Sequence, residues 1–93
     1  MTYRQIRDEL VFEADGKCVI DGSTEMVQAH HLLTRTCKRH REDRRNLLVV
    51  CGKCHARPVM IMKWLEENRP EQAAWVAQIR RQWLAYKKYD FEN

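Results

Sequence analysis

The stretch Asn46-Leu-Leu-Val-Val-Cys-Gly-Lys-Cys-His55 decides the fold, because it predicts a strand, a metal-binding turn and the start of a helix in direct succession. Its four apolar residues, 47–50, form a short run that is typical of a buried strand. Cys51 and Cys54 follow with the spacing of a knuckle, a tight turn from which two cysteines can bind one metal ion. His55 comes directly after the second cysteine, so the knuckle determines where its ring points.

A second stretch, Ala29-His-His-Leu-Leu33, carries two adjacent histidines. Successive side chains on an extended chain point to opposite faces, so His30 and His31 must meet different surroundings. One ring can therefore bind a metal ion while the other acts as a base. Together with Asn46 and His55, this pair forms a constellation that the rest of the chain is organised to hold.

The composition indicates one small domain, residues 1–93, whose 44% hydrophobic content supports a modest core. Domains of this size often need a staple such as a metal ion. The sequence shows no apolar leader and no run long enough to span a membrane, so we expect a cytoplasmic protein without membrane contact. In a reducing compartment the CxxC knuckle favours metal binding over a disulfide. The net charge of +4 is compatible with nucleic acid but is weak support by itself.

The remaining sequence predicts an α+β domain in which helices flank a hairpin. Thr2 and Gln5 have capping-box spacing and begin a helix over residues 2–14, which Gly16 ends. Residues 26–33 and 47–50 predict antiparallel strands joined by a long basic loop. Pro58 predicts either a helix that begins near residue 57 or one turn followed by a kink, and a last helix is expected over residues 70–88. The buried face of the helix after the knuckle is expected to comprise Val59, Met60, Trp64 and Leu65.

These motifs, in this order, resemble the HNH endonuclease family, which is named for a histidine, an asparagine and a histidine in a ββα-metal fold. The resemblance covers about residues 3–65 and includes Asp15-Gly-Lys-Cys-Val-Ile-Asp-Gly22, the histidine pair and the stretch from Asn46 to His55. It implies a small zinc-stapled domain with a core at about residues 15–67, built from an antiparallel hairpin plus a helix and flanked by N- and C-terminal helices. The implied activity is that of a phage or bacterial DNA endonuclease, a metal-dependent hydrolase.

The resemblance implies a role for each motif residue. His31 corresponds to the general base that activates water, and Asn46 to the asparagine that orients the loop bearing this base. His30 and His55 correspond to ligands of a catalytic divalent ion, for which Mg, Mn, Ni and Zn stay open. An imidazole suits the base because its unperturbed pKa is near neutrality. A site with only two protein ligands leaves positions for phosphate oxygens and water.

A structural zinc ion is also implied by the resemblance. The residues that match three of the four zinc-binding cysteines of many members are Cys18, Cys51 and Cys54. Asp21 stands where the fourth cysteine would be, and a carboxylate can bind zinc at a distance similar to that of nitrogen ligands. We prefer Asp21 as the fourth ligand because of its place in the turn, and Cys37 or His40 from the basic loop is the alternative.

Basic residues are concentrated in the loop of residues 34–45 and on the last helix. DNA carries a continuous row of phosphates, so we expect these side chains to position a duplex without reading its bases. The residues expected to contact DNA are Arg35, Lys38, Arg39, Arg41, Arg44, Arg45, Arg80, Arg81, Lys87 and Lys88.

Two other classes of function stay open. One is a zinc-stapled DNA-binding or adaptor module without catalysis, and the other is an accessory component of a larger phage packaging or recombination complex. A monomer with one active site would most simply nick DNA, whereas a symmetric homodimer would be able to cut both strands. The type of DNA substrate is not specified by the sequence.

Overall fold

The computed structural model describes residues 1–33 and 40–92, with side chains described up to residue 85. This part of the chain forms a small α+β fold in which one two-stranded antiparallel hairpin packs among helices. Within it, no helix is both long and apolar enough to cross a membrane. The elements, in chain order, are α1 (Tyr3–Glu13), β1 (Gln28–His31), a 3-10 helix (Arg44–Asn46), β2 (Leu47–Val50), α2 (Gly52–His55), α3 (Pro58–Asn68) and α4 (Pro70–Glu92).

Helix α1 covers Tyr3–Glu13, one residue shorter at each end than the predicted 2–14, and Thr2 and Ala14 are its caps. The Thr2 hydroxyl accepts a hydrogen bond from the Gln5 backbone N–H, and the Gln5 side chain accepts one from the Thr2 N–H, so the capping box is formed. Gly16 has a positive φ of 67° and its N–H bonds back to the Val11 carbonyl at 2.9 Å, which closes the helix. The apolar face of α1 covers one face of the hairpin through a buried cluster of Ile6, Ala29 and Leu47.

The hairpin pairs His30 with Leu48 and His31 with Leu47. All four residues of β2 are buried, because α1 covers one face of this strand and the later helices cover the other. Strand β1 is more exposed and shorter than the predicted 26–33. The register therefore places the two histidines beside the best-buried strand of the molecule.

Helices α3 and α4 form the other wall of the core. After the single turn of α2 the chain restarts at Pro58, which occupies the first turn of α3, where its missing N–H leaves no helical bond unmade. Ile61 and Leu65, one turn apart, are fully buried against α4. The predicted membership of Val59 in this face is wrong: the residue is 84% exposed, because the helix turns residues 61 and 65 toward α4. Helix α4 continues to Glu92, beyond the predicted residue 88.

Candidate metal centre and histidine site

Cys18, Asp21, Cys51 and Cys54 form a cluster whose ligand atoms all lie within 4.8 Å of one another. The Sγ atoms of Cys18 and Cys54 are 3.8 Å apart, and the Oδ2 atom of Asp21 lies 3.5 Å from the Sγ atoms of both Cys51 and Cys54. Tetrahedral zinc binds sulfur at about 2.3 Å and oxygen at about 2.0 Å. This geometry places two sulfur ligands about 3.8 Å apart, and a sulfur and an oxygen ligand about 3.5 Å apart. The cluster can therefore hold a metal ion, with Asp21 in the fourth position.

Two tight turns present these four ligands. In the first, the Gly22 N–H bonds to the Cys18 carbonyl at 2.9 Å, and Gly22 has a positive φ of 75°, which glycine adopts without strain. In the second, Cys51 caps the short helix α2, and its sulfur accepts from the Cys54 N–H at 3.5 Å. The Val19 N–H binds the Val49 carbonyl at 3.1 Å, so the first turn is attached to β2, which leads into the second.

The protonation of the cluster favours a cation. A hydrogen bond from the Ser23 backbone N–H, helped by the neighbouring thiols, lowers the pKa of Asp21 to about 2, so this carboxylate is charged at neutral pH. The Cys54 N–H likewise lowers the pKa of the Cys51 thiol. Burial raises the pKa of the Cys54 thiol, and coordination to a metal ion would lower it again because the thiolate is the ligand. Cys37, the alternative fourth ligand, lies outside the described residues.

His30 and His55 face each other across the gap between β1 and α2. Their Nδ1 atoms are 2.8 Å apart, and the two rings meet edge to face with centroids 4.8 Å apart. Desolvation, together with the nearby His55 and His31, lowers the pKa of His30 to about 4, so this ring is neutral at physiological pH. Two nitrogens that share one cation at about 2.1 Å are separated by about 3 Å when they bind at a right angle. The spacing of the pair is close to that value.

His31 occupies different surroundings, in line with the alternation of side chains along a strand. Its ring stacks on the Tyr3 ring, with centroids 5.1 Å apart and planes 21° from parallel. Its Nε2 atom lies 3.2 Å from the Arg41 backbone carbonyl oxygen. A carbonyl can only accept a hydrogen bond, so Nε2 carries the hydrogen and Nδ1 is the basic nitrogen of the neutral ring.

Asn46 is the most buried polar residue of the described chain, with 1% of its surface exposed. Its Oδ1 atom accepts from the Leu33 N–H at 2.7 Å, and its Nδ2 atom donates to the His40 carbonyl at 2.9 Å. Leu33 lies two residues after β1, and His40 lies four residues before the 3-10 helix that leads into β2. The Asn46 side chain therefore links a residue just after β1 to a residue ahead of β2. It also holds the backbone directly before Arg41, whose carbonyl contacts His31.

Several of the predicted DNA-contacting arginines have partners within the protein. Arg44 pairs with Glu9 at 3.0 Å and with Glu13 at 2.6 Å, which attaches the 3-10 helix to α1. Arg45 pairs with Asp43 at 2.8 Å and lies 4.3 Å above the Trp75 ring. These side chains therefore contribute to the fold, and any contact with phosphate competes with these interactions.

Arg80 links the last helix to the histidine strand. Its Nη2 atom donates to the Leu32 carbonyl at 3.1 Å, one residue after His31, so α4 lies beside the site. Arg41 and Arg81 are exposed. The other residues expected to bind DNA fall outside the described residues or side chains: Arg35, Lys38, Arg39, Lys87 and Lys88.

Sequence patterns did not single out Tyr3 or the Arg80 contact as parts of the site. Tyr3 lies in the first turn of α1, where it reads as an ordinary apolar position. Only the packing of α1 on the hairpin brings its ring to His31, and no spacing rule reports a contact between residues that far apart in the chain.

No family model, curated protein or solved structure matches the chain. The resemblance to HNH endonucleases therefore depends on the motifs quoted above. The function is inferred from the arrangement of the metal cluster, the facing pair His30 and His55, and the separately held His31.

Proposed function

We propose that this protein is a metal-dependent DNA endonuclease of the HNH type, which hydrolyses phosphodiester bonds. The observation that carries this proposal is that the adjacent residues His30 and His31 have different partners. His30 and His55 bring their Nδ1 atoms to 2.8 Å, whereas His31 is held away from them by Tyr3 and the Arg41 carbonyl. A hydrolytic site needs a cation at the phosphate and a base for water. Adjacent residues of β1 offer one ligand, His30, and the base, His31, and α2 offers the second ligand, His55.

In this proposal His31 takes the proton from the attacking water at Nδ1. The Arg41 carbonyl holds the hydrogen on Nε2, so the ring keeps the tautomer in which Nδ1 accepts. Asn46 maintains this arrangement by binding Leu33 and the His40 carbonyl, directly before Arg41. A tautomer held before the substrate arrives reduces the reorganisation that the reaction requires.

His30 and His55 are the residues that would hold the divalent ion. The convergence of their Nδ1 atoms fits a shared cation, and the lowered pKa of His30 agrees with a neutral ligand. When bound, the ion would stabilise the negative charge that develops on the phosphate and the leaving oxygen. Mg, Mn, Ni and Zn are the candidates.

We assign zinc to the cluster of Cys18, Asp21, Cys51 and Cys54. Three sulfur ligands favour zinc over Mg or Ca, and the distances fit a closed tetrahedral site. A site with four protein ligands has no open position for substrate, so its role is to stabilise the fold. The two metal sites thus differ in ligands and in purpose.

DNA is the proposed substrate because the site lies beside exposed cations. The backbone carbonyl of Arg41 contacts His31, and Arg80 donates to the carbonyl of Leu32, the residue after His31. Arg81 is exposed next to it on α4. These side chains would bind backbone phosphates and so position the duplex with little dependence on sequence.

The test is digestion of supercoiled plasmid by the zinc-loaded protein with added Mg, Mn, Ni or Zn. His31→Ala is expected to reduce cleavage by about 100-fold or more, the range typical of a general base, while the fold and zinc content stay unchanged. His40→Ala is the matched control, since the His40 side chain packs on Trp75, away from the proposed chemistry. A His31→Ala protein that cuts at the wild-type rate would refute the assignment.

One observation favours the second candidate, a zinc-stapled DNA-binding or accessory module without catalysis. Among the residues that the structure describes, only the cysteine and aspartate cluster brings together three or more metal ligands, and the facing pair offers just two. In this case the wild-type protein would bind DNA and cut none with any of the four metals. Stable co-purification with a larger protein would then point to an accessory role.

A further inference from the structure

Tyr3 is fixed at both of its ends. Its backbone belongs to the first turn of α1, which the Thr2–Gln5 capping box holds in place. Its hydroxyl donates to the Ala29 carbonyl at 3.2 Å, on the strand that carries the histidines. The Tyr3 ring is therefore held in a fixed orientation between α1 and β1, and its face stacks on the His31 ring.

Two contacts of His31, with the Arg41 carbonyl and with the Tyr3 ring, restrain its ring in complementary ways. The bond from Nε2 to the Arg41 carbonyl lies at one edge of the ring and fixes the direction of that edge. Stacking on Tyr3 fixes the plane of the ring, since the planes lie 21° apart with centroids at 5.1 Å. Rotation of the ring about its bond to Cβ would disrupt both contacts. Together they set the position of Nδ1.

We infer that Tyr3 is a positioning residue for His31: its ring holds the imidazole in the orientation in which Nδ1 faces the attacking water. This inference rests on the proposed function and adds to it a residue outside the HNH motifs. It also assigns α1 a role, because this helix carries the Tyr3 ring that stacks on the base. Small displacements of a reacting group have large effects on rate, so loss of the Tyr3 ring is expected to change kcat more than KM.

The experiment compares two substitutions of Tyr3 in plasmid cleavage at fixed pH, saturating metal and full zinc content. Tyr3→Leu removes the stacking surface while keeping apolar volume, and is expected to lower kcat by about 10- to 100-fold with KM changed by less than about threefold. Tyr3→Phe keeps the stacking and loses only the bond to Ala29, so it is expected to retain kcat within about threefold. Recovery by phenylalanine but not by leucine identifies the aromatic plane as the active feature.

Leu10→Ala is the matched structural control. Leu10 lies on the same helix and packs against the same cluster as Tyr3, so its truncation loosens α1 without removing the ring on His31. The control is expected to lower Tm at least as much as Tyr3→Leu while kcat stays within about threefold of wild type. If Tyr3→Leu does not fold, Tyr3→Met supplies the same comparison with a more adaptable side chain.

The outcomes separate this inference from the function on which it rests. A folded, zinc-loaded wild-type protein that cuts no DNA with any of the four metals would refute the proposed function and this inference with it. If the wild type cuts and His31→Ala does not, the proposed function stands. A Tyr3→Leu protein with wild-type kcat, or with a kcat that falls only as far as that of Leu10→Ala, would then overturn the role of Tyr3 alone.

Discussion

Replacing Asn46 with alanine tests whether one buried amide holds the connection between the strands. The substitution leaves the buried Leu33 N–H without its acceptor and the partly buried His40 carbonyl without its donor. An orphaned buried donor costs about 1–3 kcal/mol and loss of the second bond about 1 kcal/mol, so the free energy of unfolding should fall by about 2–4 kcal/mol. For a domain of this size, that loss lowers Tm by about 10–25 °C.

The assay is urea unfolding at 25 °C, followed by tryptophan fluorescence, with zinc content held constant because bound metal adds to apparent stability. Asn68→Ala is the control. The Asn68 amide makes the same kind of bond, to the Trp64 carbonyl at 2.9 Å, but in an exposed position. It should change the free energy of unfolding by less than about 0.5 kcal/mol.

The comparison distinguishes burial from hydrogen bonding alone. If Asn46→Ala is as stable as Asn68→Ala, then the amide does not hold the loop ends and the structural account of Asn46 is wrong. If Asn46→Ala is destabilised as expected, DNA cleavage should fall as well. Asn46 holds the His40 carbonyl, and the next residue, Arg41, makes the contact with His31.

Three further outcomes are expected. Cys51→Ser should remove most of the one zinc ion expected per chain and lower the free energy of unfolding by more than about 4 kcal/mol, measured by elemental analysis and urea unfolding; unchanged zinc content would contradict the ligand set. Arg81→Gln should reduce the slope of log Kobs against log salt by about 1, and Arg44→Gln by less because two carboxylates already engage it; equal slopes for all three proteins would count against phosphate contact at Arg81. Hydrogen bonds from Arg45 hold the pKa of Asp43 below its usual 3.8, so the charged carboxylate stabilises the fold above pH 3.8. This stabilisation is lost as the pH falls through the lowered pKa. Asp43→Asn should lack this part of the acid dependence when unfolding is measured against pH, and a pH profile identical to that of wild type would disprove it.

Local rules predicted most of the secondary structure. The capping box at Thr2 and the strand before Cys51 each depend on a few neighbouring residues, and both are present in the structure. Pro58 left two alternatives open, and the structure has a single turn, α2, followed by a separate helix that begins at Pro58. The opposite surroundings of His30 and His31 likewise follow from the alternation of an extended chain. The structure also brings together Cys51 and Cys54, which knuckle spacing indicated, with Cys18 and Asp21, which the resemblance implied.

Features that depend on how elements pack were not predictable in this way. Val59 and Ile61 are both apolar residues of the same helix, and only the position of α4 decides that Ile61 is buried. A charged loop residue such as Arg44 reads as solvated or DNA-facing, yet α1 places two carboxylates against it. Such pairings depend on contacts between distant segments, which local patterns do not encode.

The arrangement of the metal cluster has a consequence for the speed of folding. Cys18 and Asp21 precede β1, whereas Cys51 and Cys54 follow β2, so an ion bound to all four would close the chain around the whole hairpin. Bringing Cys18 to Cys51 closes a long loop, which costs about 3 kcal/mol of chain entropy. An ion that binds both turns early would offset this entropy cost before any strand forms. Refolding should then accelerate with zinc concentration while metal capture limits the rate, and strand pairing should become rate-limiting once zinc is abundant.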